Sequence, residues 1–482
     1  MTQKVDIIIK NARVIDGTGK QSFIGNVAIK NNRIVETQDI TKFVARHEID
    51  AQNMVVAPGF IDCHTHDDLA LLESPKMENK VTQGVTTVIT GNCGISLTPF
   101  KPDNWEMPIP MALLGRKDQY CFPTVSDYVR ALQTSPPAVN AALLCGHNTI
   151  RAEVMKGDIH RAANKNEIFQ MQEIVRLAVS SGAIGLSSGL MYPAGFAAPT
   201  SEVTALANEA GKLGGLYATH LRDEGEHLIS SVEEAAKIGK AANLPVILSH
   251  HKVTGRSNWG ATAISLKKID QIAEGQTIHL DVYPYIASAT ALIVDRLSIA
   301  EKILIVSSHK FPQKAGQYLG DIAVDWGISE KEAAEALLPA QAIYFAMNET
   351  DVRRVLSHHR TMIGSDGIPG SEAPHPRLWG TFPRVLGHYS RNVGLLSLES
   401  AVHKMTGLTA SVFGFKDRGI LKRGAVADIT IFDPETIIDR ATFEDPTQTS
   451  VGIKHVIIGG EVVLEDGIQM NTRPGRIVQR IN

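Results

Sequence analysis

The sequence predicts an α/β protein built around a (β/α)8 barrel, with β-rich segments at both ends of the chain. Apolar β-branched runs alternate with amphipathic helical patterns over about 350 residues, the order typical of βα units and a parallel sheet. No Gly-rich phosphate turn follows the first of these strands, which favours a barrel over an open doubly wound sheet. The two chain ends instead consist of short strands separated by turn residues.

The N-terminal residues 1–60 contain the strand patterns VDIIIKNARVIDG and GNVAIKNNRIVET, with Asn31-Asn32 as a hairpin turn. The C-terminal residues 417–482 contain AVADITIFDP and HVIIGGEVVLEDG, where Gly459-Gly460 is a strong two-residue hairpin signal. We therefore assign residues 1–60 and 417–482 to β structure outside the barrel, which takes residues 61–416.

Within the barrel, each helical pattern is followed by a short apolar strand. NKNEIFQMQEIVRLAVSSG precedes GAIGLSSG, SEVTALANEAGKLGG precedes LYATH, GEHLISSVEEAAKIGKAAN precedes LPVILSHH, and ETDVRRVLSHH precedes RTMIGSDG. Residues 286–345 break this rhythm and are predicted to be a helical insertion between two barrel strands. We hypothesise that the insertion acts as a lid over the barrel mouth.

Composition excludes several functional classes. The chain has 482 residues with 48 basic and 51 acidic side chains, a net charge of −3, so no broad positive field is available for nucleic acids or membrane surfaces. The N-terminus lacks an apolar run after a basic region, and no stretch approaches the ~20 apolar residues of a membrane span. Four cysteines are too few for a disulfide scaffold of this length. We expect a cytoplasmic monomer or small homo-oligomer.

Residues that commonly bind metals follow several predicted strands. His64 and His66 in GFIDCHTHDD are two apart, so both imidazoles point to one side of a strand. Alone, each such residue would more often be structural, as a buried cysteine or a hydrogen-bonded histidine. A barrel, however, directs the carboxyl ends of all its strands to one place. The predicted metal ligands are His64, His66, Cys93, His220, His250 and Asp366.

This ligand set favours zinc, because zinc binds thiolate and neutral imidazole and a catalytic zinc keeps one position open for water. Water bound in that way has a pKa of about 7. Asp366 is then placed to act as general base toward the water and as general acid toward a leaving amine. Cys121 and Cys145 lie outside the set and are interpreted as packing residues.

Seven motifs together resemble the D-aminoacylase (N-acyl-D-amino-acid deacylase) branch of the amidohydrolase superfamily, over nearly the whole chain. They are GFIDCHTHDD, GVTTVITGNCGIS, YATHLRDEGEH, VILSHHKV, DVYPY, MIGSDG and PHPRLWGTFPRVLG. The resemblance implies a distorted (β/α)8 TIM barrel with a small β-sandwich domain assembled from both termini. It also implies hydrolysis of an N-acyl-D-amino acid to a carboxylate and a free D-amino acid.

The resemblance further assigns the metal ligands. It implies one tightly bound Zn²⁺ held by Cys93, His220 and His250, and a second, weaker site formed by His64 and His66 with Asp366. Asp366 would be the catalytic acid and base.

The resemblance places the substrate α-carboxylate against Lys252, Tyr283 and Arg377. The residues agree with this, because Lys252 lies two positions beyond His250 on the same side of its strand, and a guanidinium fork suits a carboxylate. Tyr192 and Met347 are the remaining predicted substrate contacts. The D-side-chain pocket is left open between two interpretations: Met191, Thr254 and Met347 touch the side chain, or they merely pack or face solvent.

Three alternatives stand beside this function. A cyclic-amide hydrolase of the dihydropyrimidinase or hydantoinase kind would use the same superfamily barrel, but the bridging lysine usual there is missing here. A prolidase-like or deaminase activity would have little use for the Lys252, Tyr283 and Arg377 set. A non-catalytic amidohydrolase homologue would be expected to have lost ligands, and none of the six is lost.

Overall fold

Both ends of the chain contribute to one large sheet. A computed structural model of the chain describes residues 2–102, 107–371 and 373–481. The N-terminal strands are β1 (Gln3–Val14), β2 (Phe23–Lys30), β3 (Arg33–Glu36), β4 (Phe43–Asp50) and β5 (Val55–Pro58). Their buried residues are mainly Ile, Val and Ala, which suit a sheet covered on both faces.

Eight parallel strands form the barrel, interrupted after the seventh by an insertion. The strands are β6 (Phe60–Asp62), β7 (Val85–Thr90), β8 (Asn140–Gly146), β9 (Gly185–Gly189), β10 (Leu216–His220), β11 (Val246–Leu248), β12 (Ile278–Val282), the insertion strands β13 (Ser288–Ala291), β14 (Ile303–Ser308) and β15 (Ala340–Tyr344), and the eighth barrel strand β16 (Thr361–Ile363). Neighbouring barrel strands pair in chain order from β6 to β16. An isolated parallel bridge joins Thr65 to Gly367, just beyond β6 and β16, so the barrel is nearly closed.

The C-terminal strands complete the sheet that the N-terminus begins. They are β17 (Ile429–Phe432), β18 (Ile453–Ile458), β19 (Glu461–Glu465) and β20 (Ile468–Gln469). β17 pairs antiparallel with β5, where Ile431 faces Val56, and the sheet runs in the order β20-β19-β18-β17-β5-β1-β2-β3 with β4 also on β1. The predicted barrel with a second β unit built from both termini is therefore confirmed.

The α-helices are α1 (Ala70–Glu73), α2 (Glu78–Val81), α3 (Val125–Thr134), α4 (His147–Met155), α5 (Lys165–Ser180), α6 (Pro193–Phe196), α7 (Thr200–Lys212), α8 (Leu228–Ala242), α9 (Thr262–Ala273), α10 (Leu319–Trp326), α11 (Glu330–Leu337), α12 (Glu349–Ser357), α13 (Arg377–Arg384), α14 (Leu398–Met405) and α15 (Gly407–Phe413), with a π-helix over Val385–Asn392. Most α-helices connect successive barrel strands, whereas α10 and α11 belong to the insertion and α13 to α15 follow the eighth barrel strand. In α5, Asn164 caps the first turn and Met171 and Val175 are buried, as an amphipathic helix requires. Among the residues described here, no helix is both long enough and apolar enough to span a bilayer.

The insertion differs from its sequence prediction. Residues 286–345 were expected to be helical, yet they contain the antiparallel sheet β13-β15-β14 as well as α10 and α11. The apolar run ILIVSS forms β14 and buries Ile303 and Ile305 against Leu319 and Ile322 of α10. The helical interpretation failed because the charged, Ala-rich second half of the segment dominated the pattern, while the short strands carry little periodic signal.

Candidate metal centre and active site

The carboxyl ends of the barrel strands bring the predicted ligands together. Cys93 lies at the centre, with its Sγ 3.3 Å from His64 Nε2 and 3.3 Å from His250 Nε2. Asp366 Oδ1 lies 3.2 Å from His66 Nε2 and 3.4 Å from His64 Nε2. All of these side chains are buried. The structure therefore clusters histidines, a thiol and a carboxylate that are far apart in the sequence.

Two overlapping groups of donor atoms could hold metal ions, and within each group the atoms lie within 4.8 Å of one another. His64, Cys93, His250 and Asp366 form one group, and His220, Glu224 and His250 form the other. Neither ring nitrogen of the buried His220 has a hydrogen-bond partner among the described residues. A buried, unsatisfied imidazole beside a thiol is suited to a metal ligand, so the residues fit zinc.

Electrostatics favour the anionic forms that metal ligands need. Burial raises the pKa of the Cys93 thiol, but His64 and His250 outweigh it and hold that pKa well below its ordinary value. Burial also raises the pKa of Asp366, and again the cations win, chiefly Arg377, so its pKa lies well below the usual range. Both groups are therefore available as a thiolate and a carboxylate at neutral pH.

Two carboxylates that the sequence interpretation missed orient the histidines. Asp281 Oδ1 lies 3.2 Å from His64 Nδ1 and accepts a hydrogen bond from the His250 backbone N–H at 2.8 Å. Glu224 Oε1 lies 3.2 Å from His250 Nδ1. At His64 a proton held on Nδ1 leaves Nε2, the nitrogen that faces Cys93, free for a metal; at His250, Nδ1 lies between Glu224 and the Lys252 Nζ, which is 2.7 Å away. Asp281 is a charged residue within the otherwise apolar strand IHLDV, and this exception could have marked it as functional. Glu224 gave no such signal, because an acid in RDEGEH looks like an ordinary solvated loop residue.

The predicted carboxylate contacts occupy different environments. Lys252 Nζ donates to Glu224 Oε1 at 2.6 Å, so its charge already has a partner. Arg377 begins α13 fully buried; its guanidinium lies 4.4 Å from the ring centroid of Tyr283, and Nη1 lies 2.9 Å from Asp366 Oδ2. Nη1 is ion-paired with Asp366 and Nη2 donates to the Ala289 carbonyl, whereas Arg377 Nε and the Tyr283 hydroxyl make no hydrogen bond to any described residue. A buried guanidinium beside a free phenol is chemically suited to a carboxylate.

One buried cavity is lined by predicted metal ligands, and the insertion closes it on one side. Tyr192 lines it together with Met191, and the Tyr192 hydroxyl lies 3.1 Å from Thr290 Oγ1. Met347 lines a neighbouring cavity, where it packs against Tyr283 and Tyr285. Thr254 is buried, and its hydroxyl donates to the Glu224 carbonyl. Of the candidate pocket residues, Met191 and Tyr192 therefore line the main cavity, whereas Met347 lines the neighbouring one.

The insertion also contributes a cation to this cavity. Arg296 lies in the 3-10 helix Val294–Ile299 and lines the cavity beside Ser288, Thr290 and Tyr344. Among the described residues, no carboxylate lies within ion-pair distance of its guanidinium. The sequence interpretation did not select Arg296, because an arginine in an insertion reads as an ordinary surface residue.

Comparisons with known proteins agree with this architecture. The amidohydrolase family pattern matches residues 47–291 and 323–464. D-aminoacylase of Alcaligenes xylosoxydans xylosoxydans is 44% identical over 479 residues, covering 99% of this chain and 98% of the relative. N-acyl-D-aspartate deacylase and N-acyl-D-glutamate deacylase of the same organism are each 42% identical; they cover 98% and 100% of this chain and 95% and 98% of their own lengths.

Solved structures give the same result. A D-aminoacylase crystal structure superposes with a TM-score of 0.96 at 46% identity, covering 99% of this chain and 100% of the other. N-acyl-D-glutamate deacylase from Bordetella bronchiseptica, solved with zinc and a phosphonate mimic of the tetrahedral intermediate, superposes at 0.94 with 41% identity over 98% and 99% of the two chains. L-hydantoinase from Arthrobacter aurescens shares only the fold, at 18% identity and a TM-score of 0.60 over 99% and 100%.

Proposed function

The chain belongs to the amidohydrolase family, and we propose that it is a zinc-dependent deacylase that hydrolyses N-acyl-D-amino acids to a carboxylate and a free D-amino acid. One observation carries the proposal. A buried cavity is lined by Cys, His and Asp donors, and Arg377, packed on the ring of Tyr283, contacts that donor set directly through Asp366 at 2.9 Å. The donor set suits an amide carbonyl, and the fork and phenol suit the α-carboxylate next to it.

In this proposal the tight zinc is held by Cys93, His220 and His250, and His64 and His66 form a weaker second site with Asp366. Zinc bound there supplies a Lewis acid that polarises the amide carbonyl and lowers the pKa of water to about 7. Asp366, kept ionised beside Arg377, takes the proton from the attacking water and returns it to the leaving nitrogen. The C–N bond breaks as the nitrogen becomes an amine.

Stereochemistry follows from two fixed points and a pocket. Arg377 and Tyr283 bind the α-carboxylate, while the donor cluster fixes the acyl group. The side chain on the α-carbon must then point toward the part of the cavity that Tyr192 and Arg296 line. Only one enantiomer fits all three, which is how the chain selects D-amino acids.

We propose in addition that an acidic D-side chain is preferred. The cation of Arg296 has no acid partner among the described residues, and Ser288 and Thr290 line the cavity beside it with hydroxyl groups. A side-chain carboxylate entering this wall would form a charge-assisted hydrogen bond, worth about 1.5–3 kcal/mol. A neutral side chain would leave the guanidinium unpaired in a partly buried place.

The test is the release of free amine by zinc-loaded protein from N-acetyl-D-aspartate, N-acetyl-D-glutamate and N-acetyl-D-methionine, each beside its L-enantiomer. We expect D-selective hydrolysis, with kcat/KM for an acidic substrate at least tenfold above that for methionine. Arg296→Met should remove that preference, whereas the matched variant Arg256→Met, at an exposed arginine outside the cavity, should keep it. Turnover of dihydrouracil or hydantoin without any turnover of these amides would contradict the deacylase assignment.

The near-zero net charge supports a cytoplasmic enzyme that needs neither a nucleic-acid nor a membrane partner. We extend the proposal to a monomer or small homo-oligomer, which sedimentation of the purified protein would test.

A further inference from the structure

A fully buried ionic cluster lies against the ligand-bearing ends of the first and last barrel strands. Lys80, from α2, has no solvent-exposed side-chain surface; its Nζ lies 2.8 Å from Asp62 Oδ2 and 3.1 Å from Asp67 Oδ2. It also donates to Ser365 Oγ at 3.0 Å. Packed apolar side chains of similar size are often as stabilising as a buried ion pair or more so, so a buried cluster of one ammonium and two carboxylates is weak evidence for a stability role.

The cluster bridges the weakest seam of the barrel. Among the described residues, the first and last barrel strands are linked by the isolated Thr65–Gly367 bridge instead of a ladder of the kind that joins the other neighbours. Asp62, the last residue of β6, accepts a hydrogen bond from the Ser365 backbone N–H at 2.8 Å, just beyond β16. Lys80 binds the side chains of both residues at once.

Three of the six predicted metal ligands, His64, His66 and Asp366, lie at the same seam. Asp366 follows Ser365 directly, and its backbone N–H donates to the His64 carbonyl at 2.8 Å. The His66 backbone N–H donates to the Gly367 carbonyl at 3.1 Å. A shift of one strand against the other would therefore change the distances from Asp366 to His64 and His66, which are now 3.4 and 3.2 Å.

We propose that Lys80, Asp62 and Ser365 form a seam clamp that positions Asp366 against the His64–His66 pair. The inference rests on the proposed function, because it assigns Asp366 and the two histidines to one working site. None of the three clamp residues lines the cavity, so they are positioning residues that act through the strand ends. No described hydrogen bond or ion pair joins the clamp to Arg377 or Tyr283, so the clamp should affect turnover and the affinity of the second metal site more than substrate binding.

The test compares Lys80→Met with Arg151→Met. Arg151 is a matched control because it is also a fully buried cation paired with a fully buried carboxylate, Glu202, but away from the cavity. Three kinds of measurement are made: kcat and KM on the best N-acetyl-D-amino acid, the affinities of the metal-free protein for a first and a second zinc ion by competition with a chelator, and the unfolding temperature. Lys80→Met should lower kcat at least tenfold, change KM less than threefold, and weaken binding of the second zinc at least tenfold, with the first zinc unchanged. Arg151→Met should lower only the unfolding temperature.

If Lys80→Met lowers the unfolding temperature and leaves kcat and zinc affinity at wild-type values, the clamp is merely structural and the proposal is wrong. Should that variant fail to fold, Ser365→Ala removes a hydrogen-bonding hydroxyl without unpairing a charge, and it should shift kcat and zinc affinity in the same direction by about threefold. Ser365→Ala with wild-type kcat and zinc affinity would overturn the proposal equally. Wild-type protein that hydrolyses no N-acetyl-D-amino acid would overturn the proposed function, while the zinc competition would still decide on the clamp.

Discussion

Arg377→Met tests the assignment of the carboxylate-binding site. The arginine is fully buried, its guanidinium lies against the Tyr283 ring at 4.4 Å, and Nη2 donates to the Ala289 carbonyl at 3.2 Å. Nη1 is ion-paired with Asp366 Oδ2 at 2.9 Å, and Nε has no hydrogen-bond partner among the described residues. Methionine keeps much of the volume of the side chain and removes both the fork and the ion pair to Asp366, so the assay must separate these two contributions.

The size of the expected loss follows from the contacts available. A hydrogen bond to a charged group contributes about 1.5–3 kcal/mol, and a two-bond fork partly replaced by water would lose roughly 3 kcal/mol. That free energy corresponds to about a 100-fold lower kcat/KM, since every 1.4 kcal/mol is tenfold. Because Arg377 also helps to keep Asp366 ionised, part of the loss should appear in kcat.

The assay compares an N-acetyl-D-amino acid with the corresponding α-carboxamide, which lacks the charge that the fork binds. Arg377→Met should lower kcat/KM about 100-fold on the acid and much less on the amide, and Arg377→Lys should be intermediate because it keeps the charge without the fork. An equal loss on both substrates would show that Arg377 acts through Asp366 and does not bind the carboxylate.

Three further predictions follow from the described contacts. Asp366→Asn should lower kcat at least 100-fold while the protein keeps zinc at Cys93, His220 and His250; wild-type turnover in this variant would refute the acid–base assignment. Treatment with a chelator should abolish hydrolysis and added zinc should restore it, whereas persistent activity in demonstrably zinc-free protein would argue against a metal role. Burial raises the pKa of Glu202, but His147 and, after it, Arg151 lower that pKa to about 2, and this lowering corresponds to about 3 kcal/mol of stability. That stability is present above the ordinary carboxyl pKa and is lost as pH falls toward 2. Glu202→Gln should therefore lower the free energy of unfolding in urea at pH 7 and lower it less near pH 3. A difference between wild type and variant that does not change with pH would contradict this electrostatic assignment.

The sequence predicted that the metal-binding side chains cluster, because their clustering follows from the topology of the barrel. Parallel strands in a closed barrel end on one face, so a residue such as Cys93 or His250 at a strand end needs no further signal to be placed there. Glu224 and Asp281 were missed for the opposite reason. They act on neighbouring histidines, and which carboxylate meets which imidazole depends on side-chain packing between strands that the linear pattern does not contain. Arg296 was missed because an arginine in an insertion reads as an ordinary surface residue, and nothing in the sequence shows that its segment folds over the cavity.

The conformation of the ligand residues also lay beyond sequence reasoning, and it explains why the site can form at all. Cys93, His250 and Asp366 have φ values of +54°, +36° and +49°, in a region that side-chain-bearing residues seldom adopt. Each such residue costs of order 1–3 kcal/mol unless the surroundings stabilise it. At Cys93 the surroundings are visible: a Cβ added at Gly189 would lie 2.1 Å from the Cys93 carbonyl oxygen, so β9 can approach this turn only with glycine there. Cys93 lies three residues beyond the end of β7, and its left-handed backbone is part of the turn that directs the thiol toward His64 and His250. If these residues continued their strands, simple alternation would decide which side chains face the barrel axis. The cysteine, histidine and aspartate, which follow three different strands, would then not converge on one site.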